Sequence, residues 1–151
     1  LRLDYAGIGE ELARMGVDKP APFHVAEAVV HLRTRKLPDP AVIGNAGSFF
    51  KNPVVDAAVG EALRRDYPEL AAWPGADGRW KLSAAWLIEA AGFKGQREGD
   101  AGISNRHALV LVNHGQASGA QLWAFAQKVI AGVHGKFAVT LEPEPVVIGK
   151  G

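Results

Sequence analysis

The sequence predicts an α+β fold, with a small mixed or antiparallel sheet and helices packed on one of its faces. Apolar residues recur at helical spacing in several segments, and short β-type runs lie between those segments. The runs are too short and uneven for a regular parallel βαβ pattern. The length of 151 residues suits one domain with a small attached piece.

Helical spacing and end signals predict five helices. The first three are expected over residues 10–15, 23–35 and 57–65. Pro22 suits the start of the second, because the fixed φ of proline costs little in a first helical turn, and Asp56 is a suitable N-cap for the third. The fourth is expected between the cap Ser83 and Gly92, and the fifth between the cap Ser118 and Gly135.

The β-type segments are shorter than the helical ones. Residues 108–112 form a continuous apolar run, which predicts a strand buried on both faces. Shorter strands are expected over 49–55, where Pro53 indicates an edge, and over 137–141, with a resumption at 146–148. Residues 43–48, 67–79 and 93–106 are expected to be loops or irregular, because glycine and proline are frequent there.

Composition excludes several functional classes. Lys and Arg number 17 against 16 Asp and Glu, and the net charge of +1 is too small for a general nucleic-acid binder. No run approaches the length of a membrane span, and no signal peptide is recognisable. Cysteine is absent, which suits a reducing cytoplasm. The five histidines show no metal-ligand spacing, so no metal site is expected.

The stretch 36–53 is the most informative for chemistry. Gly44 and Gly47 permit close approach of the backbone to a flat or bulky ligand, and Ser48 supplies a hydroxyl directly after them. Lys36, Lys51 and Asn52 would supply two cations and an amide suited to phosphate or carboxylate oxygens. An ordinary turn with a structural asparagine and surface lysines explains the same residues, and composition alone favours that interpretation.

A second candidate is the segment 141–145, in which two carboxylates, Glu142 and Glu144, alternate with prolines. Residues two apart in an extended chain project to the same face, so both acids could point the same way. A rigidly held carboxylate can act as an acid, a base or an electrostatic partner. An exposed acidic edge strand is the simpler alternative.

Four separated motifs occur in order along the chain. They are KLPDPAVIGNAGSFFKNPVV, ADGRWKLSAAWLIEAAGFKG, HALVLVN and KFAVTLEPEPVVIG. Together they resemble the C-terminal part of the UDP-N-acetylenolpyruvoylglucosamine reductase (MurB) family. The resemblance covers most of the chain, which makes it more specific than any single motif.

The resemblance implies a role in peptidoglycan precursor synthesis in the cytoplasm. Enzymes of this family use NADPH and FAD to reduce UDP-N-acetylglucosamine enolpyruvate to UDP-N-acetylmuramate. The chain would then contain the tail of the FAD-binding region (1–36), the substrate-binding domain (37–138) and a strand that returns to the FAD-binding region (139–151). Most of the FAD-binding region would precede Leu1, so the isolated chain is expected to be inactive.

The resemblance also assigns roles to single residues. Ser48 would donate a proton to the substrate, and Glu144 would be the second catalytic residue. Five residues would bind substrate: Lys36, Asn52, Trp73, Lys94 and His107. Gly47 would lie at the cofactor. A non-catalytic nucleotide-sugar or anion-binding module that has kept the fold is the alternative function.

Overall fold

The structure of the chain is a computed structural model, and it describes residues 7–149 except for the side chain of Lys36. The chain forms two compact units, Leu1–Asp39 and Pro40–Gly151. We call them the N-terminal and C-terminal units. The expected residues 150–151 of the last strand lie outside the described part.

The N-terminal unit contains two helices, α1 (Ile8–Arg14) and α2 (Pro22–Lys36). Pro22 is the first residue of α2, one residue before the start that the sequence predicts, and it occupies the first turn as expected. The helices pack through a small apolar cluster that consists of Ile8, Leu12, Ala28 and Leu32. The carboxylate of Glu11 is buried beside this cluster, where its side chain is only 5% exposed.

Three cationic or polar side chains surround that buried carboxylate. The guanidinium of Arg35 donates to Glu11 Oε2, Nδ1 of His31 lies 3.2 Å from Oε1, and Nη1 of Arg14 lies 3.7 Å from Oε2. The hydrogen bond from Arg35, joined by the charges of Arg14 and Arg35, holds the pKa of Glu11 below its ordinary value. The carboxylate therefore links α1 to α2.

The C-terminal unit contains three helices, α3 (Ala57–Asp66), α4 (Ala84–Ala90) and α5 (Gly119–Phe137). The predicted caps are confirmed for two of them. Ser83 accepts a hydrogen bond from the backbone N–H of Trp86, and Ser118 forms a reciprocal capping box with Gln121. Asp56 stands at the N-cap of α3 but its side chain makes no capping bond.

Seven short strands form two antiparallel sheets. The strands are β1 (Gly44–Ser48), β2 (Val54–Val55), β3 (Ala72–Pro74), β4 (Trp80–Leu82), β5 (Arg97–Glu98), β6 (Ala101–Ile103) and β7 (Val110–Asn113). One sheet has the order β1-β7-β6-β5 and the other has the order β2-β4-β3. The α+β prediction is confirmed, and every strand pairing in the described part is antiparallel.

The core of the C-terminal unit lies between α4, α5 and the strands. Helix α5 contacts β6, β7 and α4, while α3 packs on β3 and β4. The fully buried side chains of this core include Phe50, Leu82, Leu87, Ile88, Ile103, Val129, Val133 and Leu141. The predicted strand at 108–112 is β7, shifted by one or two residues, and its first three residues are buried.

Several sequence predictions are wrong at the level of single elements. Residues 44–48 form strand β1 rather than a loop, and strands also occur inside the expected loops 67–79 and 93–106. Helix α5 continues past Gly135 to Phe137, because Phe137 is buried against the rings of Tyr67 and Trp86.

The C-terminal segment also differs from expectation. The helix ends where Ala138 adopts a left-handed conformation, with φ of 54°. Residues 139–149 form no regular strand, and their only β pairing within the described residues is an isolated bridge between Phe50 and Pro143. Across residues 7–149, no helix has the length and apolar character required to cross a membrane.

The buried carboxylate predicts an acid-sensitive N-terminal unit. Because the pKa of Glu11 is lowered in the folded state, the unfolded chain binds its proton more tightly. The stabilisation is therefore complete above the ordinary pKa of 4.5 and is lost as the pH falls through the lowered pKa. Glu11→Gln should reduce the stability of α1 and α2 at pH 7 and flatten this acid dependence. Amide hydrogen exchange of α2 measures both effects.

Glu10→Gln is the matched control, since Glu10 lies on the same helix but is exposed. It should leave the exchange rates of α2 close to those of the unsubstituted chain. An acid dependence in Glu11→Gln equal to that of the unsubstituted chain would contradict the structural role of the carboxylate.

Close packing at Gly60 gives a second prediction. A Cβ atom added at Gly60 would lie 2.5 Å from Cβ and Cγ of Trp80, atoms that cannot move without shifting β4. Gly60→Ala should therefore destabilise the chain by about 1–3 kcal/mol. Gly135→Ala, where no atom lies within 4 Å of the added Cβ, should stabilise α5 by about 0.5 kcal/mol. Urea unfolding followed by circular dichroism compares the two, and equal effects would show that the Trp80 contact is not restrictive.

Candidate active site

Three segments of the C-terminal unit meet at the backbone of Phe49. Its N–H donates to the carbonyl of Leu109 at 2.8 Å, and its carbonyl accepts from the N–H of Glu144 at 2.8 Å. Next to it, the N–H of Lys51 donates to the carbonyl of Glu142 at 2.9 Å. The end of β1 is therefore held between the start of β7 and the Leu-Glu-Pro-Glu segment.

This junction brings the two candidate catalytic residues to neighbouring backbone positions. Ser48 directly precedes Phe49, and Glu144 bonds to Phe49 from the other side. Both residues are exposed, and neither side chain makes a hydrogen bond within residues 7–149. Glu142, the other acid of the segment, forms an exposed ion pair with Lys51 at 3.8 Å. The hydroxyl and the Glu144 carboxylate are thus accessible to a ligand, whereas Glu142 faces a lysine.

The backbone before Ser48 contains a β-bulge. Asn45 pairs with Val112 and Ser48 pairs with Val110, so β1 has one more residue than β7 between the two pairs. Gly47 lies in this bulge with φ of +77°, a conformation that favours glycine. No heavy atom lies within 4 Å of a Cβ built on Gly47. The space above Gly47 therefore fits the close approach of a flat group, as a cofactor-binding role would require.

Asn52 has a structural partner distant in sequence. Its Oδ1 accepts from the N–H of Ala84 at 2.9 Å, so it satisfies one of the unpaired donors at the start of α4. This bond fixes the orientation of the amide. Its Nδ2 group makes no hydrogen bond within the described residues and is the part of the side chain suited to a ligand oxygen.

His107 is fixed in a similar way. Its Nδ1 accepts from the N–H of Leu109 at 3.2 Å, and its carbonyl accepts from Val110 at 3.1 Å. Because Nδ1 is an acceptor, the neutral imidazole carries its proton on Nε2. His107 therefore lies in the turn that leads into the Phe49 junction and has Nε2 as its donor.

The remaining candidate ligands lie at other positions. Lys94 binds both carboxylate oxygens of Glu89 at 3.0 Å, and Trp73 is half exposed on β3, opposite Lys81. Neither makes a hydrogen bond to the Phe49 junction among the described residues. Lys36 ends α2, and its side chain lies outside the described part.

A groove of about 390 Å³ lies beside β1 in the same unit. Its walls are mainly apolar and come from β1, β7, the first turns of α5 and the C-terminal segment. The lining residues are Gly44, Asn45, Ala46, Phe49, Leu111, Asn113, Gly119, Leu122, Trp123 and Val147. Ser48 and Glu144 do not line it, so the groove and the exposed pair are separate features that share β1.

Asn45 is expected from the sequence to be no more than a structural turn residue. In the structure its Oδ1 accepts from the N–H of Gly47 at 3.0 Å and its Nδ2 donates to the carbonyl of Ile43 at 3.0 Å. The signal for this bond was present, since Asn followed two residues later by Gly is typical of a side chain that closes its own turn. No cluster of three possible metal ligands occurs in the described part of the chain.

Comparison with known proteins identifies the family. The family model for the C-terminal domain of UDP-N-acetylenolpyruvoylglucosamine reductase matches residues 39–148, which is more than half of the chain. The chain belongs to this family.

Curated relatives agree with the assignment. The chain is 60% identical over 150 residues to the UDP-N-acetylenolpyruvoylglucosamine reductase of Xanthomonas campestris pv. campestris (strain B100), covering 99% of this chain and 43% of that protein. It is 57% identical to the reductase of Xanthomonas euvesicatoria pv. vesicatoria, over the same shares. This reductase-family domain therefore spans less than half the length of the curated relatives it matches.

A solved structure is also similar. The crystal structure of the reductase MurB from Thermus caldophilus is 27% identical, with a TM-score of 0.45, and the match covers 81% of this chain and 33% of that chain.

The contact between Asn52 and Ala84 makes this domain's stability depend on an acceptor oxygen at position 52. Asn52→Ala should lower the free energy of unfolding by about 1 kcal/mol, because the N–H of Ala84 loses its partner. Asn52→Asp keeps the acceptor, and its charge suits a helix N-terminus, so stability should be retained. Urea unfolding measures both, with the exposed Asn105→Ala as the control expected to change little. Equal stability of the Asn52→Ala variant and the unsubstituted chain would rule out the capping role.

Proposed function

We propose that this chain is the substrate-binding part of an enzyme that reduces UDP-N-acetylglucosamine enolpyruvate to UDP-N-acetylmuramate with NADPH and FAD. The family membership supports the reaction. The single observation that carries the assignment to residues is the backbone bond from the N–H of Glu144 to the carbonyl of Phe49, which places the backbone of one motif's acid beside the residue that follows Ser48 in another. The product would serve peptidoglycan synthesis in the cytoplasm.

Reduced FAD, when bound, would supply a hydride to the terminal carbon of the enolpyruvyl double bond. Gly47 is the residue of this chain that we assign to the cofactor, since its Cα face is open and a side chain would obstruct it. The other groups that hold the cofactor are proposed to belong to the region upstream of the matched domain.

Ser48 is assigned the proton transfer. Hydride addition leaves an electron pair on the carbon next to the carboxylate, and the Oγ–H of Ser48 would protonate this carbon and later regain a proton from water. A hydroxyl is a weak acid, so the transfer requires a strongly basic carbon and exclusion of water. Because Ser48 is exposed in this chain, the bound substrate and cofactor would have to cover it. Glu144 would be the second catalytic residue, positioned at the same carbon and at the carboxylate of the substrate.

Substrate binding is assigned to donors that suit the oxygen-rich UDP group. Asn52 offers Nδ2, and Lys36 and Lys94 offer ammonium groups. His107 would contribute its imidazole. Lys94 would have to exchange its bond to Glu89 for the nucleotide. Trp73 would make an apolar contact with its exposed ring.

The two half-reactions of the complete enzyme test this assignment. Ser48→Ala and Glu144→Gln, each in a full-length reductase that carries this chain, should slow reoxidation of the flavin by substrate by about 10²–10⁴-fold. Reduction of the flavin by NADPH should be unchanged. Stopped-flow absorbance of the flavin follows each half-reaction separately.

Glu142→Gln is the matched control, because Glu142 belongs to the same segment but pairs with Lys51 in an exposed contact of small energetic value. It should leave both half-reactions within about twofold of normal. A Ser48→Ala variant with normal reoxidation would remove the proton-donor role. A full-length protein that binds UDP-N-acetylglucosamine but no flavin would favour the alternative of a non-catalytic nucleotide-sugar module.

A further inference from the structure

The irregular part of β1 determines how Ser48 is presented. The extra residue in the bulge shifts the pairing of β1 with β7 between Asn45 and Ser48. Side chains alternate between the two faces of a strand, so a shift of one residue would turn the Ser48 side chain toward the other face. The position of its hydroxyl therefore depends on the bulge being kept.

Glycine alone does not keep this bulge in one conformation. Gly47 has positive φ, but an unrestrained glycine samples many backbone conformations at similar energy. A Cβ atom built on Gly47 would have no neighbour within 4 Å apart from the adjacent residues, so no packing on that side of the residue restrains it. Another group must limit the backbone directly before Ser48.

The side chain of Asn45 spans this bulge with two hydrogen bonds. Its Oδ1 accepts from the N–H of Gly47, and its Nδ2 donates to the carbonyl of Ile43, both at 3.0 Å. One planar amide thus joins the backbone before the bulge to the backbone inside it. Ser48 follows directly, and the bond from Phe49 to Leu109 fixes the chain on the other side.

We propose that Asn45 is a positioning residue for Ser48, whose amide clamps the bulge so that the hydroxyl faces the substrate carbon. The inference deepens the proposed function and rests on it. Asn45 acts through the backbone of Gly47 and does not itself need to touch the reacting atoms.

A double-mutant cycle in the full-length reductase tests this coupling. Asn45→Ala should slow reoxidation of the flavin by substrate by about 10²-fold, the effect of a misplacement near 1 Å, and leave reduction by NADPH unchanged. In a Ser48→Ala background the same substitution should cause no further loss, because the group it positions is already absent. Asn45→Asp retains an acceptor for Gly47 but loses the donor to Ile43, so it should recover part of the rate.

Asn113 provides the matched control. It also closes a turn with its own amide, accepting from Gly115 and Ala117 and donating to the carbonyl of Ala117, and it lines the same groove. Asn113→Ala should lower the thermal midpoint but leave the ratio of the two half-reaction rates unchanged. An equal change of that ratio in both variants would overturn the proposal.

The outcomes separate the two levels of the argument. Normal reoxidation in Ser48→Ala contradicts the proposed function. Slow reoxidation in Ser48→Ala combined with normal reoxidation in Asn45→Ala contradicts only the positioning role. The positioning role is also contradicted if the rate losses of the two substitutions multiply in the double variant. Should Asn45→Ala fail to fold, Asn45→Asp takes its place in the cycle, and a loss that is absent from the Ser48→Ala background remains the expected result.

Discussion

The peptide groups on either side of Phe49 are the constraint on which the candidate site depends. The N–H of Phe49 donates a hydrogen bond to the carbonyl of Leu109, and the carbonyl of Phe49 accepts one from the N–H of Glu144. The two partner segments lie on opposite sides of the chain at Phe49. The net stabilisation by one such bond is only about 1 kcal/mol, but a buried peptide group left unpaired costs more. The adjacent ring of Phe50 is 1% exposed and anchors the segment in the core. The segments around Phe49, Leu109 and Glu144, which are distant in sequence, are therefore held in a fixed register relative to one another.

This arrangement separates the support of the site from its chemistry. Backbone atoms hold Ser48 and Glu144 in place, which leaves both side chains available at the surface. Asn52 and His107 follow a related pattern, since each uses its acceptor atom to bind a backbone N–H of the domain. These bonds fix the orientation of both side chains.

The sequence predicts those parts of the fold that local chemistry determines. The caps Ser83 and Ser118 are found where expected, because each satisfies backbone donors within its own helix. Strand β1 was missed because Gly, Asn and Ser favour turns, whereas its pairing with β7 comes from tertiary contacts. The helical end of α5 was misplaced for the same reason, since burial of Phe137 outweighs the breaking tendency of Gly135.

The candidate site shows the same limit more sharply. The motifs indicate which residue types could do chemistry, but the bond between Asn52 and Ala84 joins positions 32 residues apart and has no local signal. Asn45 is the instructive case, because its partners are two residues away and the pattern was readable. The structural role expected of a turn asparagine is confirmed by both of its hydrogen bonds. Under the role proposed for Ser48, the bulge that Asn45 closes would also set the direction of the catalytic hydroxyl, so one side chain would serve both a backbone restraint and a catalytic requirement.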